Sequence, residues 1–342
     1  METGLFDYEL PPELIAQKPR EPRDSSRLMV VHRQSGRIEH RQFRDLPAYL
    51  SRPDVMVLNN TKVIPARLRG RRESGGPVEL LLLRRHGSKG DFCWEALVRP
   101  ARRVSVGSRL CFGDGELEAV VREEMPEGKR LVEFWAAGPV EEAVRRLGTT
   151  PLPPYIREPA PLERYQTVYA RHEGSVAAPT AGLHFSPELL QALRRRGITF
   201  ATLVLHVGPG TFRPVRVEAV EDHRMEGEYY RLSAANAAKI NRARDEGGRV
   251  VAVGTTVVRA LETIADDDGR LKGCRGWTEL FIYPGYRFRT VDVLVTNFHL
   301  PRSTLLMLVC AFAGRELILE AYRVAVAARY RFYSFGDAML IL

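Results

Sequence analysis

Apolar positions along this chain follow two periods, and the change from one to the other divides it. An apolar run at residues 55–58 reads as a buried strand and ends in Asn59-Asn60. From about Leu68 to Trp135 short apolar runs recur, at residues 78–83, 93–98, 116–121 and 130–135. Gly75-Gly76, the stretch 87–90 and Gly113-Asp114-Gly115 separate them. Closely spaced runs with turn signals and no helical period predict a small all-β, barrel-like module. A short helix is expected at residues 140–147. Pro151-Leu152-Pro153-Pro154-Tyr155 then marks the exit from the module, because proline fixes φ and has no N–H to sustain a helix.

Beyond that exit the pattern alternates between strand and helix. Ser186-Pro187-Glu188 combines an N-cap, a proline at the first helical position and an early acid, and Gly197 closes that helix. Strands are expected at residues 198–206, 249–253, 280–283 and 293–296, and helices at 233–246, 256–264, 303–312 and 316–328. This alternation implies α/β layering with largely parallel pairing. The expected architecture is a larger α/β domain with an inserted small all-β, barrel-like domain. Residues 1–67 and 152–342 would form the discontinuous α/β catalytic domain, and residues 68–151 the insert.

Length and composition agree. At roughly 150 residues per domain, 342 residues suggest two domains or one with an insertion. Apolar residues at 44% and charged residues at 27% exclude disordered, collagen-like and disulfide-scaffold chains. Cys93, Cys111, Cys274 and Cys310 lie far apart, with no C-x-x-C, which argues against a zinc knuckle and suits a reducing cytoplasm. No signal peptide is visible at the N-terminus, and the longest apolar run, 305–313, is too short to span a bilayer.

The charge of +9 adds a further point: it fits a polyanionic partner. Arginine supplies 45 of the 51 basic residues and is the better bidentate phosphate ligand. A GC-rich genome or a heat-adapted source gives the same bias. Asn and Gln number only five each, which favours heat adaptation; a melting midpoint of about 50 °C, ordinary for mesophile domains, would contradict it.

Candidate chemistry gathers where polar residues follow apolar strands, since ligands of α/β folds bind beyond the carboxyl ends of strands. Asn59-Asn60-Thr61-Lys62 offers two amides for a base edge or hydroxyl, or simply an Asx turn. Residues 174–185, with Ser175, Thr180 and His184 among small residues, form either a site loop before a helix N-terminus or a tight packing loop. His206-Val207-Gly208-Pro209-Gly210-Thr211-Phe212 places a titratable ring at a strand end, where it could be a proton carrier or a satisfied core histidine. Asp222-His223-Arg224-Met225-Glu226-Gly227-Glu228 reads as a solvated charged loop; with no second His at helical spacing, no metal is expected. Thr296-Asn297-Phe298-His299 and Gly254-Thr255-Thr256 stand at further strand ends, Thr255 alternatively as an N-cap. Arginine groups at 69, 71 and 72, at 99, 102 and 103, and at 194–196 could track phosphates or be ordinary solvated faces.

Long runs carry a more specific signal. Asn59 to Arg67, Tyr165-Gln166-Thr167-Val168-Tyr169, Ala178 to Phe185, His206 to Phe212, Phe281-Ile282-Tyr283-Pro284-Gly285-Tyr286, Thr296 to Pro301 and Tyr330 to Asp337 occur in order along the chain. Together they resemble the S-adenosylmethionine:tRNA ribosyltransferase-isomerase family of queuosine biosynthesis, from Phe6-Asp7-Tyr8 onward. At one point the chain departs from that pattern: Glu226 stands where the family has a second histidine after His223-x-Met225.

The resemblance implies that S-adenosylmethionine donates its ribosyl group to the aminomethyl group of 7-aminomethyl-7-deazaguanine at the tRNA wobble position. The products would be epoxyqueuosine-tRNA, adenine and methionine. S-adenosylmethionine would be consumed as a cosubstrate, with no other cofactor and no metal. The expected proton-transfer residues are His184 and His206, with Glu226 as a possible carboxylate base. The expected substrate-binding residues are Asn59, Asn60, Thr180, Thr256 and Asn297, and the helix at Ser186 could receive a carboxylate or phosphate. The tRNA anticodon stem-loop would lie on the arginine-rich surfaces, and the protein would be a cytoplasmic monomer without a membrane partner. Two alternatives stand beside this reading: an S-adenosylmethionine-dependent RNA methyltransferase, disfavoured by the missing G-x-G, and a non-catalytic RNA-binding protein.

Overall fold

The computed structural model describes residues 1–86, 92–208, 210 and 214–342. The chain opens with β1 (Arg27–Val31), β2 (Ile38–Gln42), β3 (Val55–Asn59) and the short β4 (Thr61–Val63). Six strands follow: β5 (Arg67–Arg72), β6 (Pro77–His86), β7 (Cys93–Arg99), β8 (Arg109–Phe112), β9 (Leu117–Glu124) and β10 (Lys129–Trp135). Helix α1 (Val140–Leu147) and the proline stretch lead to β11 (His172–Ser175). Then come α2 (Pro187–Arg195), β12 (Thr199–Leu205), β13 (Glu228–Leu232), α3 (Ala234–Asp245), β14 (Val250–Val253), α4 (Thr255–Ile264), β15 (Cys274–Thr278), β16 (Val293–Asn297), α5 (Thr304–Ala313), α6 (Arg315–Ala327) and β17 (Ala338–Ile341).

Among the described residues, β5 to β10 close into a barrel in the order β10-β7-β6-β5-β8-β9, with antiparallel neighbours. Its interior takes every second residue of each strand, such as Val78, Leu80 and Leu82 of β6. Val140, Ala143 and Val144 of α1 pack onto the same core. Two of these strands, β5 and β8, escape the sequence reading. Arg-Leu-Arg-Gly-Arg-Arg of β5 buries only Leu68 fully, so its charged outer face conceals the alternation. The turn expected at 87–90 lies outside the described residues.

Nine further strands form one mixed sheet, ordered β15-β13-β12-β3-β14-β16-β17-β1-β2. The four central strands β12, β3, β14 and β16 run parallel, whereas both flanks are largely antiparallel. The expected parallel pairing thus holds at the centre and again between β17 and β1, and the sheet as a whole is mixed. Both chain ends contribute, since β1 pairs in parallel with β17. The central strands are buried on both faces and so are continuous apolar runs, whose successive residues enter opposite cores. Val55 and Val57 of β3 join the core under α3 to α6, while Met56 and Leu58 join the one under α2.

Residues 280–283, expected as a strand, have none. The peptide turns after β15, where Leu280 N–H donates to Thr278 Oγ1, and Ile282 is buried in the core. The apolar run thus records packing and not strand pairing. Among the described residues no helix is long and apolar enough to cross a membrane.

Candidate active site

The four parallel strands end together, and their last residues are those the sequence singled out. Asn59 ends β3, His206 follows β12, Gly254-Thr255-Thr256 follow β14, and Asn297 ends β16. The next parallel strand after β3 lies on one side of it, and the next after β14 on the other. A crevice opens at such a divergence of connections.

Asn59 closes the seam between β3 and β12. Its Oδ1 accepts the N–H groups of Thr61 (3.1 Å) and Leu205 (3.0 Å), and its Nδ2 donates to the Leu205 carbonyl (2.9 Å). Next to it Asn60 is buried, yet its Oδ1 has no hydrogen-bond partner.

Beyond the ends of β14 and β16 lies a narrow crevice of about 20 Å³ lined by Thr180, Thr256, Asn297 and His299 among others. Its polar groups mostly satisfy one another. Thr180 donates to Asn297 Oδ1 (2.9 Å), and Asn297 Nδ2 meets His184 Nε2 (3.1 Å). His184 Nδ1 meets Ser26 Oγ (2.7 Å). Because an amide NH₂ only donates, His184 Nε2 must accept, and its proton sits on Nδ1. Both ring nitrogens of this buried histidine are therefore engaged, leaving none to face a substrate. Burial, reinforced by Arg331 and Arg23, pulls His184 down to about 3. Burial likewise holds His299 at about 3, with its Nε2 on Thr296 Oγ1 (2.7 Å). Thr256 Oγ1 is the exception, buried without a partner. The N-cap before α4 is Gly254 and not Thr255; its φ of 98° is open to glycine, and Thr255 is already helical.

His206 lies in different surroundings. It lines a cleft of about 910 Å³ between the barrel, with Arg84, Trp94 and Lys129, and the sheet edge, with Glu226, Tyr229 and Trp277. Thr61 Oγ1 lies 2.8 Å from His206 Nδ1 and also reaches the His172 carbonyl (3.4 Å). If the hydroxyl proton goes to that carbonyl, Nδ1 is the protonated nitrogen and Nε2 keeps its lone pair. Beside Nε2 runs Gly174 at φ 135°; a Cβ there would come within 2.8 Å of the ring nitrogen. Burial, with His172 and Arg231 nearby, lowers His206 to about 4, so the ring is neutral at pH 7. Tyr229 stacks on it at 5.6 Å between centroids. Val207 borders both the cleft and the narrow crevice, which are thus neighbours.

Charges tie the cleft together. Lys129 of the barrel reaches Glu95 (3.2 Å) and, across the cleft, Glu226 (3.9 Å). Glu226, the departure from the family pattern, is thus part of the cleft wall. The segment 222–228, expected as a solvated loop, is irregular through Gly227 with Asp222, Arg224 and Gly227 exposed, but its last residue, Glu228, begins β13 and is buried against Arg259 of α4. Glu228 Oε1 also accepts Gly208 N–H (2.9 Å), fixing the backbone two residues beyond His206. Pro209, Thr211 and Phe212 of that motif lie outside the described residues. Sequence reading missed Tyr229, Trp277, Lys129 and Arg259, because the residues they meet are distant in the chain.

Other expectations divide. Ser186 caps α2 through Leu189 N–H (3.1 Å) and donates to Asp24 (2.7 Å), so a carboxylate of the protein already stands at that helix N-terminus. Of the arginine groups, Arg69, Arg71, Arg99, Arg102, Arg103 and Arg194 to Arg196 are exposed, and Arg72 is half-buried. Arg69 and Arg99 flank Glu79 across three adjacent barrel strands.

A family model described as queuosine biosynthesis protein matches residues 3–341. An S-adenosylmethionine:tRNA ribosyltransferase-isomerase of Moorella thermoacetica is 64% identical, and one of Symbiobacterium thermophilum 60% identical, each match covering the whole of both chains. The crystal structure of an S-adenosylmethionine tRNA ribosyltransferase from Thermotoga maritima is 45% identical, with a TM-score of 0.57 over 99% of this chain and 100% of that one.

Proposed function

The chain belongs to the queuosine-biosynthesis family of S-adenosylmethionine:tRNA ribosyltransferase-isomerases, and from that premise we propose which of its own residues run the reaction and where. The reaction transfers and isomerises the ribosyl moiety of S-adenosylmethionine onto the aminomethyl group of 7-aminomethyl-7-deazaguanine at the tRNA wobble position. It gives epoxyqueuosine-tRNA, adenine and methionine.

The chemistry asks for a base, an acid and a water-poor pocket. The sulfonium acidifies the 5′ carbon of the ribose, so a neutral base can remove a proton there and leave an ylide. Adenine then departs with a proton from an acid and the sugar ring opens. The nucleobase amine bonds to the sugar, and methionine leaves as the epoxide closes. His206 is the proposed base. A single observation carries this reading: a neutral imidazole, held through Nδ1 by Thr61, lines the large cleft between barrel and sheet.

Asn60 and Thr256, each with a buried oxygen that no protein group satisfies, are proposed to hydrogen-bond the adenosine or the modified base. Asn59, Thr180, Asn297 and His184, whose polar atoms already bond within the protein, are assigned to positioning the strand ends. The exposed arginines of the barrel and of the end of α2 are proposed to hold the phosphates of the anticodon stem-loop. The enzyme is further proposed to act as a cytoplasmic monomer, and light scattering showing a dimer would revise that.

The test is incubation with S-adenosylmethionine and substrate tRNA, followed by assay of free adenine and of label in the tRNA. Release of adenine with ribose carbon entering the tRNA is expected. Methyl carbon entering instead indicates a methyltransferase, and tRNA binding without adenine release a non-catalytic binder. Affinity for tRNA should fall steeply with salt, because phosphate contacts release counterions.

A further inference from the structure

Trp277 is a large aromatic residue left 48% exposed on the outermost strand of the sheet. Folding gains little from it there. Its cross-strand partner in β13 is Tyr229, with ring centroids 5.8 Å apart, and Tyr229 in turn stacks on His206. Three rings thus run from the proposed base to the mouth of the cleft. From across the cleft Arg84 of the barrel sets its guanidinium 4.2 Å from the Trp277 ring centre. Arg84 follows an irregularity in β6 between Leu82 and Arg84, and such a bulge re-aims the residues beside it. The two halves of the molecule thereby converge on one exposed indole.

A base removed from an RNA loop loses its stacking neighbours, and proteins replace these with aromatic faces and arginine planes. We propose that Trp277, backed by Arg84 and continued by Tyr229, is the stacking platform for the extruded wobble base, turning its aminomethyl arm along the ring series toward His206. This deepens the proposed function and rests on its placement of the reaction in the cleft.

Trp277→Ala should raise KM for substrate tRNA roughly 5- to 150-fold, the range seen when one base–aromatic stack is removed, and leave KM for S-adenosylmethionine within about twofold. Trp277→Phe should restore most of the loss. A tRNA KM within about twofold of wild type in Trp277→Ala, or an equal rise for both substrates, overturns the platform. The second measurement is fluorescence of a protein carrying Trp94→Phe and Trp135→Phe, in which Trp277 is the one tryptophan left. Its emission should be quenched saturably by the anticodon stem-loop with the aminomethyl base, and not by the same stem-loop abasic at the wobble position. Quenching by both, or by neither, overturns the assignment to that base. His206→Ala separates the two levels. Full turnover in that variant sinks the placement of the chemistry in the cleft, whereas lost turnover with an unchanged tRNA KM in Trp277→Ala sinks only the platform.

Discussion

The narrow crevice beyond β14 and β16 and the wide cleft at His206 both open at the ends of parallel strands, and beside each stands a histidine whose ring is held by hydrogen-bonding side chains. They differ in what those groups face. Behind the crevice, whose free space is only about 20 Å³, His184 bonds to its lining residue Asn297 and has a protein partner on each ring nitrogen. In the cleft one side of the His206 ring is held by Thr61, and about 910 Å³ lies beside it. A polar residue at a strand end is therefore not yet a functional residue. What separates the two is whether the protein has already used its donors and acceptors.

The largest expected effect is at His206. His206→Ala should lower kcat by about 10²- to 10⁴-fold, the usual contribution of a positioned base, with a melting midpoint close to wild type. Adenine release is the measurement, and turnover near wild type would erase the distinction between the two histidines. The pH profile follows from the same ring. Its pKa is lowered to about 4, so the proton-accepting form is present above that value. kcat/KM should stay flat from pH 8 to below 6 and fall only as pH approaches 4, where an unshifted histidine would fall near 6.5. The two buried histidines contribute to stability with the same sign. His184 and His299, both held near 3, bind fewer protons folded than unfolded, so stability declines as pH drops from about 6.5 toward 3.

Next in size is Arg259. It donates to Glu228 and to the Leu280 carbonyl (2.8 Å), and both charged partners are buried. Arg259→Ala leaves an unpaired buried carboxylate and should cost about 3–5 kcal/mol in chemical denaturation. Because Glu228 also fixes Gly208, turnover should fall with it. A loss of stability with turnover intact would show that the ion pair serves the sheet and not the cleft.

Asn297→Ala probes the crevice itself. It strips His184 Nε2 and Thr180 Oγ1 of their partner and should cost about 1–3 kcal/mol, the penalty for leaving buried polar groups unsatisfied. If its role is positioning, melting temperature should move more than KM does. A KM effect without a stability effect would return Asn297 to the substrate.

These variants also mark how far the sequence could be read. The barrel, the helices and the residues at the strand ends were legible because burial alternates along β6, because β3 and β14 are continuous apolar runs, and because Ser186, Ser233 and Ser303 cap their helices in recognisable contexts. Strand β13 was not, since Glu228 looks solvated until Arg259, 31 residues on, neutralises it. Nor could the sequence rank His184 against His206, because Ser26, Thr61 and Asn297, which decide the matter, are between 113 and 158 residues from the histidine each one meets.

Thr256 gives the smallest stability effect and the finest discrimination. Among the described residues lining the crevice, its hydroxyl is the one side-chain group buried there with neither a protein partner nor a place in the His184 network. Removing a hydroxyl that bonds to nothing recovers its desolvation cost, so Thr256→Val should change stability by no more than about 0.5 kcal/mol, in either direction. Thr180→Val, by contrast, breaks the bond to Asn297 and should cost about 1 kcal/mol. Activity tells the two apart in the opposite sense. If Thr256 binds substrate, Thr256→Val should raise KM for one of the two substrates several-fold while the fold is untouched, and Thr180→Val should weaken the fold with little change in KM. Were Thr256→Val silent in both respects, the unsatisfied oxygen would be a packing residue of the β14–α4 turn, and the crevice would lose its one open contact with the chemistry next door.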